Sequence, residues 1–241
     1  MRVEDWLYRR LYELEDGHWW FRGRRAIIWA LLQRTGLPAR TRLLDAGCGT
    51  GRNLVELGFL GPAAGVDGSP DAVAFCHERG LSDVRQAQLD ALPFPDGSFD
   101  LVVATDVIEH VDDDEGALRE LRLVAAPGAR LLVTTPAYRW LWSAHDDEHQ
   151  HKRRYTRRVL LRRARAAGWE PEIATYFNSL LLAPIALARL LPRGSEANDY
   201  DRTPRRLNRA LSWPMRLEAS LVRRGVRLPA GVSIGLVCRA V

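Results

Sequence analysis

A chain of 241 residues, 46% apolar and 27% charged, has the balance of a water-exposed globular protein, long enough for one sizeable core and short for two. Its 35 basic against 30 acidic residues leave a charge of +5, but Lys152 is the one lysine, so the excess reflects a preference for arginine as much as an anionic partner. No run approaches the roughly 20 apolar residues of a membrane-spanning helix, no apolar stretch follows Met1, and Cys48, Cys76 and Cys238 lack metal-ligand spacing. A reduced, cytoplasmic protein is the expectation.

Trp6, Leu7, Leu11 and Leu14 recur at helical spacing over 5–14, and Gly17-His-Trp-Trp-Phe-Arg-Gly-Arg-Arg follows. Three adjacent aromatics among arginines either fold over a ligand or pack this extension onto a core, and both readings stand. Residues 26–32 read as a second, buried helix ending near Gly36-Leu-Pro38. The stretch 1–36 is therefore expected to form a helical cap before a core domain over 37–178.

That core is organised around 42–51, Arg-Leu-Leu-Asp-Ala-Gly-Cys-Gly-Thr-Gly. A short apolar strand ends in Asp45, and Gly47, Gly49 and Gly51 follow at every second position before a helical pattern begins at Asn53. Such glycines let the backbone turn sharply and approach a ligand closely, which marks a nucleotide-cofactor loop. A dinucleotide fingerprint needs a third glycine three residues after the second, which this spacing lacks. Asp45 would also repel a pyrophosphate, whereas it suits an amino group and a cationic centre. An amino-acid-bearing nucleoside is favoured.

The second strand, 63–66, closes with Asp67-Gly68-Ser-Pro, about 20 residues beyond the loop, where a carboxylate accepts from both ribose hydroxyls. A helix over 71–79, a third strand over 83–88, a fourth over 101–104, a helix over 116–125 and a fifth strand over 129–135 continue the alternation that a parallel sheet requires. The fourth strand runs into Thr105, Asp106 and His110, on the crevice side of an open sheet.

Asp-Ala-Gly-Cys-Gly-Thr-Gly, together with Phe-Asp-Leu-Val-Val-Ala-Thr-Asp-Val-Ile-Glu-His-Val, resembles the class I S-adenosylmethionine-dependent methyltransferases, in particular the small-molecule enzymes of the ubiquinone-biosynthesis type. The resemblance implies an α/β, Rossmann-like sheet of seven strands, mostly parallel with an antiparallel last strand and helices on both faces. It implies S-adenosylmethionine as cofactor, held by Asp45, Gly47, Gly49 and Gly51, by Asp67 and Gly68 at the ribose, and by Asp90, Ala91 and Leu92 at the adenine. Thr105, Asp106 and His110 would face the methionine part, His110 as support for the pocket or as a base. Trp19, Trp20 and Phe21 would cap the site, with Arg22 meeting a carboxylate.

After the fifth strand, 138–155 carries three of the six histidines. A metal site from His145, Asp146, His149 and His151 lacks the Glu-bearing i, i+4 zinc spacing, so no metal is expected. A solvated loop of mixed charge is a second reading. A substrate site is the third, since methyl transfer to a hydroxyl needs a proton acceptor near neutral pH. The stretch also looks like a pattern of related bacterial methyltransferases, Trp-Ser-x-His-Asp followed by His-x-x-Arg-Tyr. That likeness implies His145 and His151 as catalytic residues and Asp146, Arg154 and Tyr155 as substrate-binding ones, and it leaves His149 out.

Eight basic residues lie between Lys152 and Arg165, mostly on a helix over 157–167 with Val159, Leu160 and Leu161 inward. They form a solvated face, or they attract a phosphate- or carboxylate-bearing acceptor. Strand six covers 169–177 and a last strand 232–239, with a helical insertion over 179–231 between them. Its apolar part, 180–191, is a buried helix or a patch for a membrane surface. A polar, mobile loop follows over 192–204, then a helix over 205–224 with Leu207, Leu211, Leu217 and Leu221 inward and a kink at Pro214. The insertion is expected to roof the acceptor pocket or to dimerise. Motifs for methylating exocyclic base amines or cytosine carbon are absent, which argues against nucleic acid as acceptor. The sequence thus points to methyl transfer onto a small molecule, or a lipid- or sugar-linked one, on oxygen. A non-catalytic S-adenosylmethionine-binding regulatory or assembly protein is the alternative, and a nicotinamide oxidoreductase a third.

Overall fold

The computed structural model describes residues 3–190 and 203–241. Along the chain, β1 (Leu43–Ala46), β2 (Ala63–Asp67), β3 (Val84–Gln86), β4 (Phe99–Thr105) and β5 (Ala125–Pro136) pair in parallel. β6 (Trp169–Phe177) and β7 (Ser233–Ala240) complete a single sheet of order β3-β2-β1-β4-β5-β7-β6. β7 lies between β5 and β6 and is antiparallel to both, so the expected antiparallel last strand is internal and β6 forms the edge. The chain reverses its direction across the sheet at β1 and β4, which opens a crevice at their C-terminal ends.

Successive strand residues point to opposite faces, and both faces are covered. Leu43, Leu101, Val103, Leu132 and Val237 enter one apolar layer with Ile27, Ile28 and Leu31. Leu44, Val102, Leu131, Val133 and Leu236 enter the other with Leu118, Leu121 and Leu160. The first layer is closed by α2 (Trp19–Leu32) and the second by α5 (Asp114–Val124) and α7 (Arg157–Ala166). Polar side chains start these helices: Asp113 accepts from the Gly116 N–H at 2.8 Å, and Thr156 from the Val159 N–H. In α4 (Pro70–Glu78), Ser69 caps the first turn and Pro70 occupies a position where its missing N–H is harmless.

Several expected boundaries move. α1 (Val3–Leu14) is followed by an α2 that begins at Trp19, so the aromatic run is itself the first turn of the helix, with His18 accepting from the Trp20 N–H. The helix after the glycine loop, α3 (Arg52–Leu57), ends in a 3-10 turn over Gly58–Leu60. A short α6 (Ala144–Glu148) follows β5. In α7 the buried residues are Leu160 and Ala164, while Val159 and Leu161 lie half-buried at the flanks. The arginines of this stretch are largely solvated or internally paired: Arg163 of α7 and Arg153 before it both meet the buried Asp114, and Arg158, Arg162 and Arg165 are exposed.

The insertion contains α8 (Leu182–Leu190) and α9 (Arg205–Arg223), and α9 packs on α2. The polar loop expected between them falls outside the described residues except at Thr203 and Pro204. The inner stripe of α9 is not the expected leucine face. Met215, Ala219 and Val222 are buried, whereas Leu207 and Leu217 are 49% and 39% exposed. Glu218 fixes this phase, because its buried carboxylate accepts from the Ser179 and Leu180 N–H groups at 2.8 Å each. Turning the leucines inward would strip those donors of their partner. Pro214 lies inside α9, which continues through it. Among the described residues, no helix is long and apolar enough to cross a membrane.

Candidate functional site

The crevice is a cavity of about 1170 Å³, walled by the glycine loop, the ends of β2 and β4, the N-terminal helices, the segment after β5 and the roof made by α8 and α9. Gly47 turns at φ 77°, and a Cβ there would lie 2.3 Å from Val107, so only glycine fits. Gly49, at φ 55°, faces open space instead. The N–H groups of Gly47 and Cys48 both bond to the Val66 carbonyl, at 2.8 and 2.9 Å, and that of Gly49 bonds to Asp67 at 2.8 Å. These three donors are consumed within the fold and cannot form a nest for a pyrophosphate.

Asp67 lines the cavity, its carboxylate held by the Gly49 N–H and, at 2.9 Å, by the Ser69 N–H. Burial pushes its pKa up, against the pull of those two bonds. Gly68 beside it leaves room for the Gln88 amide, which a Cβ would meet at 2.8 Å. Asp45 is fully buried, and neither of its oxygens has a hydrogen-bond partner. Burial raises its pKa to about 7, opposed by nearby Arg24 and aided by Asp67. Asp45 does not line the cavity, so the expected cofactor contact at this residue is not seen.

Arg22 is exposed and does not line the cavity. Two residues on, a different face of α2 points inward, and Arg24 enters the site to pair with Asp106. Asp106 stands at φ 51° at the end of β4 and also accepts from Thr134 Oγ1 at 3.0 Å, while Thr105 accepts from Asn53 at 3.0 Å. Trp19, Trp20 and Phe21 line the cavity, and Trp20 also stacks on Phe177, so the aromatics both wall the site and pack the cap. Glu15 holds the end of α1 to the loop by accepting from Thr50 and pairing with Arg79.

Of the residues expected at the adenine, Asp90 lines the cavity, together with its neighbours Gln88 and Leu89. Ala91 and Leu92 do not. Ala91 is exposed, and the Leu92 N–H is taken by Glu120 at 2.9 Å. Gly51 likewise lies behind the loop, its N–H bonded to the Cys48 carbonyl at 3.0 Å.

The same cavity is also lined by a group of histidines. His110, His145, His149 and His151 all line the cavity; the His110 and His151 rings are 4.8 Å apart and those of His145 and His149 4.0 Å. Burial lowers the pKa of His110 to about 4, with His151 and His149 adding to it, and drives that of His145 well below its ordinary value. His149, outside the expected pattern, is brought in because it follows His145 by one turn of α6. Asp146 is buried behind this wall, bonded to His151 Nδ1 at 2.8 Å and to Arg154 through both oxygens at 2.7 and 2.9 Å. Burial works against its charge, but these bonds outweigh it and hold the carboxyl well below the usual range.

Arg154 reaches the cavity; Tyr155 does not. Tyr155 is 1% exposed and donates its hydroxyl to Asp114 at 2.5 Å, within the layer under α5. Its neighbour in sequence points the other way, as strand-like backbone dictates. Sequence reasoning also passed over Glu109, Arg189 and Asn178, all on the cavity wall. Asn178 is 1% exposed with neither atom of its amide bonded. Of these, Asn178 carried a weak signal, an amide directly after a strand that suits its left-handed φ of 57°.

Residues 44–133 match the family model of a methyltransferase domain. The chain is 26% identical over 157 residues to ajmaline N-methyltransferase of Rauvolfia serpentina, covering 61% of this chain and 53% of that protein. It is 40% identical over 114 residues to a probable chloroplastic tocopherol O-methyltransferase of Oryza sativa subsp. japonica, covering 44% and 32%. The matches thus span about half or less of these relatives. Among solved structures, the complex of the Haloferax volcanii Trm112 methyltransferase activator with a putative methyltransferase superposes with a TM-score of 0.64 at 21% identity, over 98% of this chain and 95% of that one. S-adenosylmethionine is the cofactor of such methyltransferases, and the open Gly49 beside the cavity-lining Asp67 fits it. Residues 44–133 are thus similar to a methyltransferase domain, and the sheet built around them has the fold shared by solved class I S-adenosylmethionine-dependent methyltransferases.

Proposed function

We propose that the protein transfers a methyl group from S-adenosylmethionine to a small-molecule acceptor, on oxygen. One observation carries this reading: a single cavity of about 1170 Å³ is lined both by Gly49, Asp67 and Asp90 and by His110, His145 and His151. Asp106 and the Gly49 turn receive the amino-acid end of the cofactor, Asp67 the ribose, and Gln88 to Asp90 the base. Bound S-adenosylmethionine supplies an already activated methyl group on its sulfonium. The chain's task is then to align the acceptor and exclude water. Trp19, Trp20 and Phe21 close one side of the cavity, and Arg24 fastens α2 across it by pairing with Asp106.

His145 and His151 take the acceptor's proton. Both are walled into the cavity, and the Asp146 carboxylate fixes the His151 ring with its other nitrogen left to accept. The roof favours an acceptor with an apolar body and a polar end: Ile185, Ala188 and Leu211 are apolar, while Asn178 offers an unpartnered amide. Outside the roof, Leu187, Trp213 and Leu217 are exposed among Arg209 and Arg216, which supports delivery of a lipid-linked acceptor from an anionic membrane surface.

The test is calorimetric titration with S-adenosylhomocysteine followed by a radiolabelled methyl-transfer screen across hydroxyl and amine acceptors. His145→Ala and His151→Ala are expected to retain cofactor binding and to lose product. Tight binding with no product from any acceptor would identify a cofactor-sensing subunit instead.

A further inference from the structure

We propose that Glu109, His110 and His151 form a binding site for a single divalent transition-metal ion of the zinc class. One ligating atom from each lies within 4.8 Å of the others. The three come from two distant segments, the turn after β4 and the stretch after α6. These are clamped side by side where the Lys152 N–H donates to the Glu109 carbonyl at 2.9 Å.

The side chains of His151 and Glu109 are already oriented from behind, as metal ligands are. His151 Nδ1 is bonded to Asp146 at 2.8 Å, which turns its other nitrogen, as an acceptor, away from Asp146. The His110 ring stands edge-on to that of His151, with centroids 4.8 Å apart. Glu109 Oε2 accepts from Thr135 Oγ1 at 3.3 Å, and Glu109 Oε1 is fully buried with no partner. A buried carboxylate oxygen left unbonded is costly, and a cation in the cluster relieves it. All three residues line the large cavity, so an ion has a route in and an open side.

Two imidazoles and one carboxylate form the donor set of an open zinc-type site, whereas magnesium and calcium require oxygen ligands. A tetrahedral centre needs ligand atoms roughly 3.4 Å apart, so side-chain rotation must draw the cluster in. Local spacing within 145–151 gave no such site, because its ligands are shared with the end of β4.

The inference rests on the reading of this wall as the acceptor side: the open position of the ion faces the space left for the acceptor, whose oxygen would complete the coordination. With an ion bound, His151 would serve as a ligand and His145, on the same cavity wall, would be the residue left to take the acceptor's proton.

The experiment uses the full chain, freed of any polyhistidine tag and stripped with chelator, titrated with Co²⁺ by visible absorption and with Zn²⁺ by calorimetry. Uptake of one ion per chain is expected, Zn²⁺ displacing Co²⁺. Glu109→Gln, His110→Asn and His151→Ala should each weaken binding tenfold or more. The exposed His77→Ala should leave it unchanged, and thermal melts of every variant separate loss of a ligand from loss of the fold. Absence of stoichiometric uptake at sub-millimolar ion, or uptake indifferent to all three substitutions in folded protein, overturns the proposal. Titration with S-adenosylhomocysteine is read separately. Its uptake without metal uptake removes the metal site alone, and metal uptake without it removes the methyltransferase reading alone.

Discussion

Asp67→Ala removes a carboxylate that accepts from the Gly49 N–H at 2.8 Å and the Ser69 N–H at 2.9 Å. Two consequences separate. The two N–H donors lose a charged partner, and solvent in the cavity replaces part of it, so a cost of about 1–3 kcal/mol in stability is expected. For a chain of this size that is a fall of about 2–12 °C in Tm. The larger effect is on cofactor affinity. If the carboxylate also takes both ribose hydroxyls, each charged bond contributes about 1.5–3 kcal/mol, and their joint loss weakens binding by about two to four orders of magnitude. Asp67→Asn keeps the shape and one acceptor oxygen but turns an NH₂ toward one of the N–H groups, and should fall between. Calorimetric titration of S-adenosylhomocysteine into wild type and both variants measures this. A folded Asp67→Ala protein with affinity near that of wild type would refute the assignment of this carboxylate to the ribose.

Asp45 makes stability depend on pH. Its pKa is about 7 folded against an ordinary 3.8, so the unfolded chain releases a proton that the folded one keeps. Stability from this group is therefore present at low pH and lost as pH rises from about 4 to about 7, by about 4 kcal/mol at most. Urea unfolding of wild type and Asp45→Asn at pH 5 and pH 8 isolates it: the variant should gain on wild type at the higher pH, and parallel behaviour would contradict the orphaned carboxylate. Gly49→Ala and Gly47→Ala should differ in kind. The first meets open space and costs about 1–2 kcal/mol for its left-handed φ while blocking S-adenosylhomocysteine, whereas the second strikes Val107 and loses the folded state, both seen in melts and titration. Tyr155→Phe leaves the buried Asp114 short of a donor, so a loss of about 1–3 kcal/mol with unchanged methyl transfer is expected; lost turnover at full stability would return Tyr155 to the substrate side.

Signals confined to a short stretch were legible in the sequence. Gly47, Gly49 and Asp67 follow from local backbone demands, because a turn with positive φ and a carboxylate at a strand end are written within a few residues. The strand and helix alternation fixed the layered sheet for the same reason, since hydrophobic period reports which faces are covered. What depended on the phase of a helix or on distant segments was not legible. Arg24 rather than Arg22 enters the cavity because α2 turns by its own register against the sheet. Leu207 and Leu217 stay exposed because Glu218 must serve the chain at Ser179 and Leu180. Tyr155 turns into the core, while His149 joins His145. Above all, Glu109 and His110 meet His151 only because β4 and β5 are neighbours in the sheet, which brings the turns that leave them against one another. Sequence determined the architecture and the cofactor loop; tertiary packing alone chose the histidine wall.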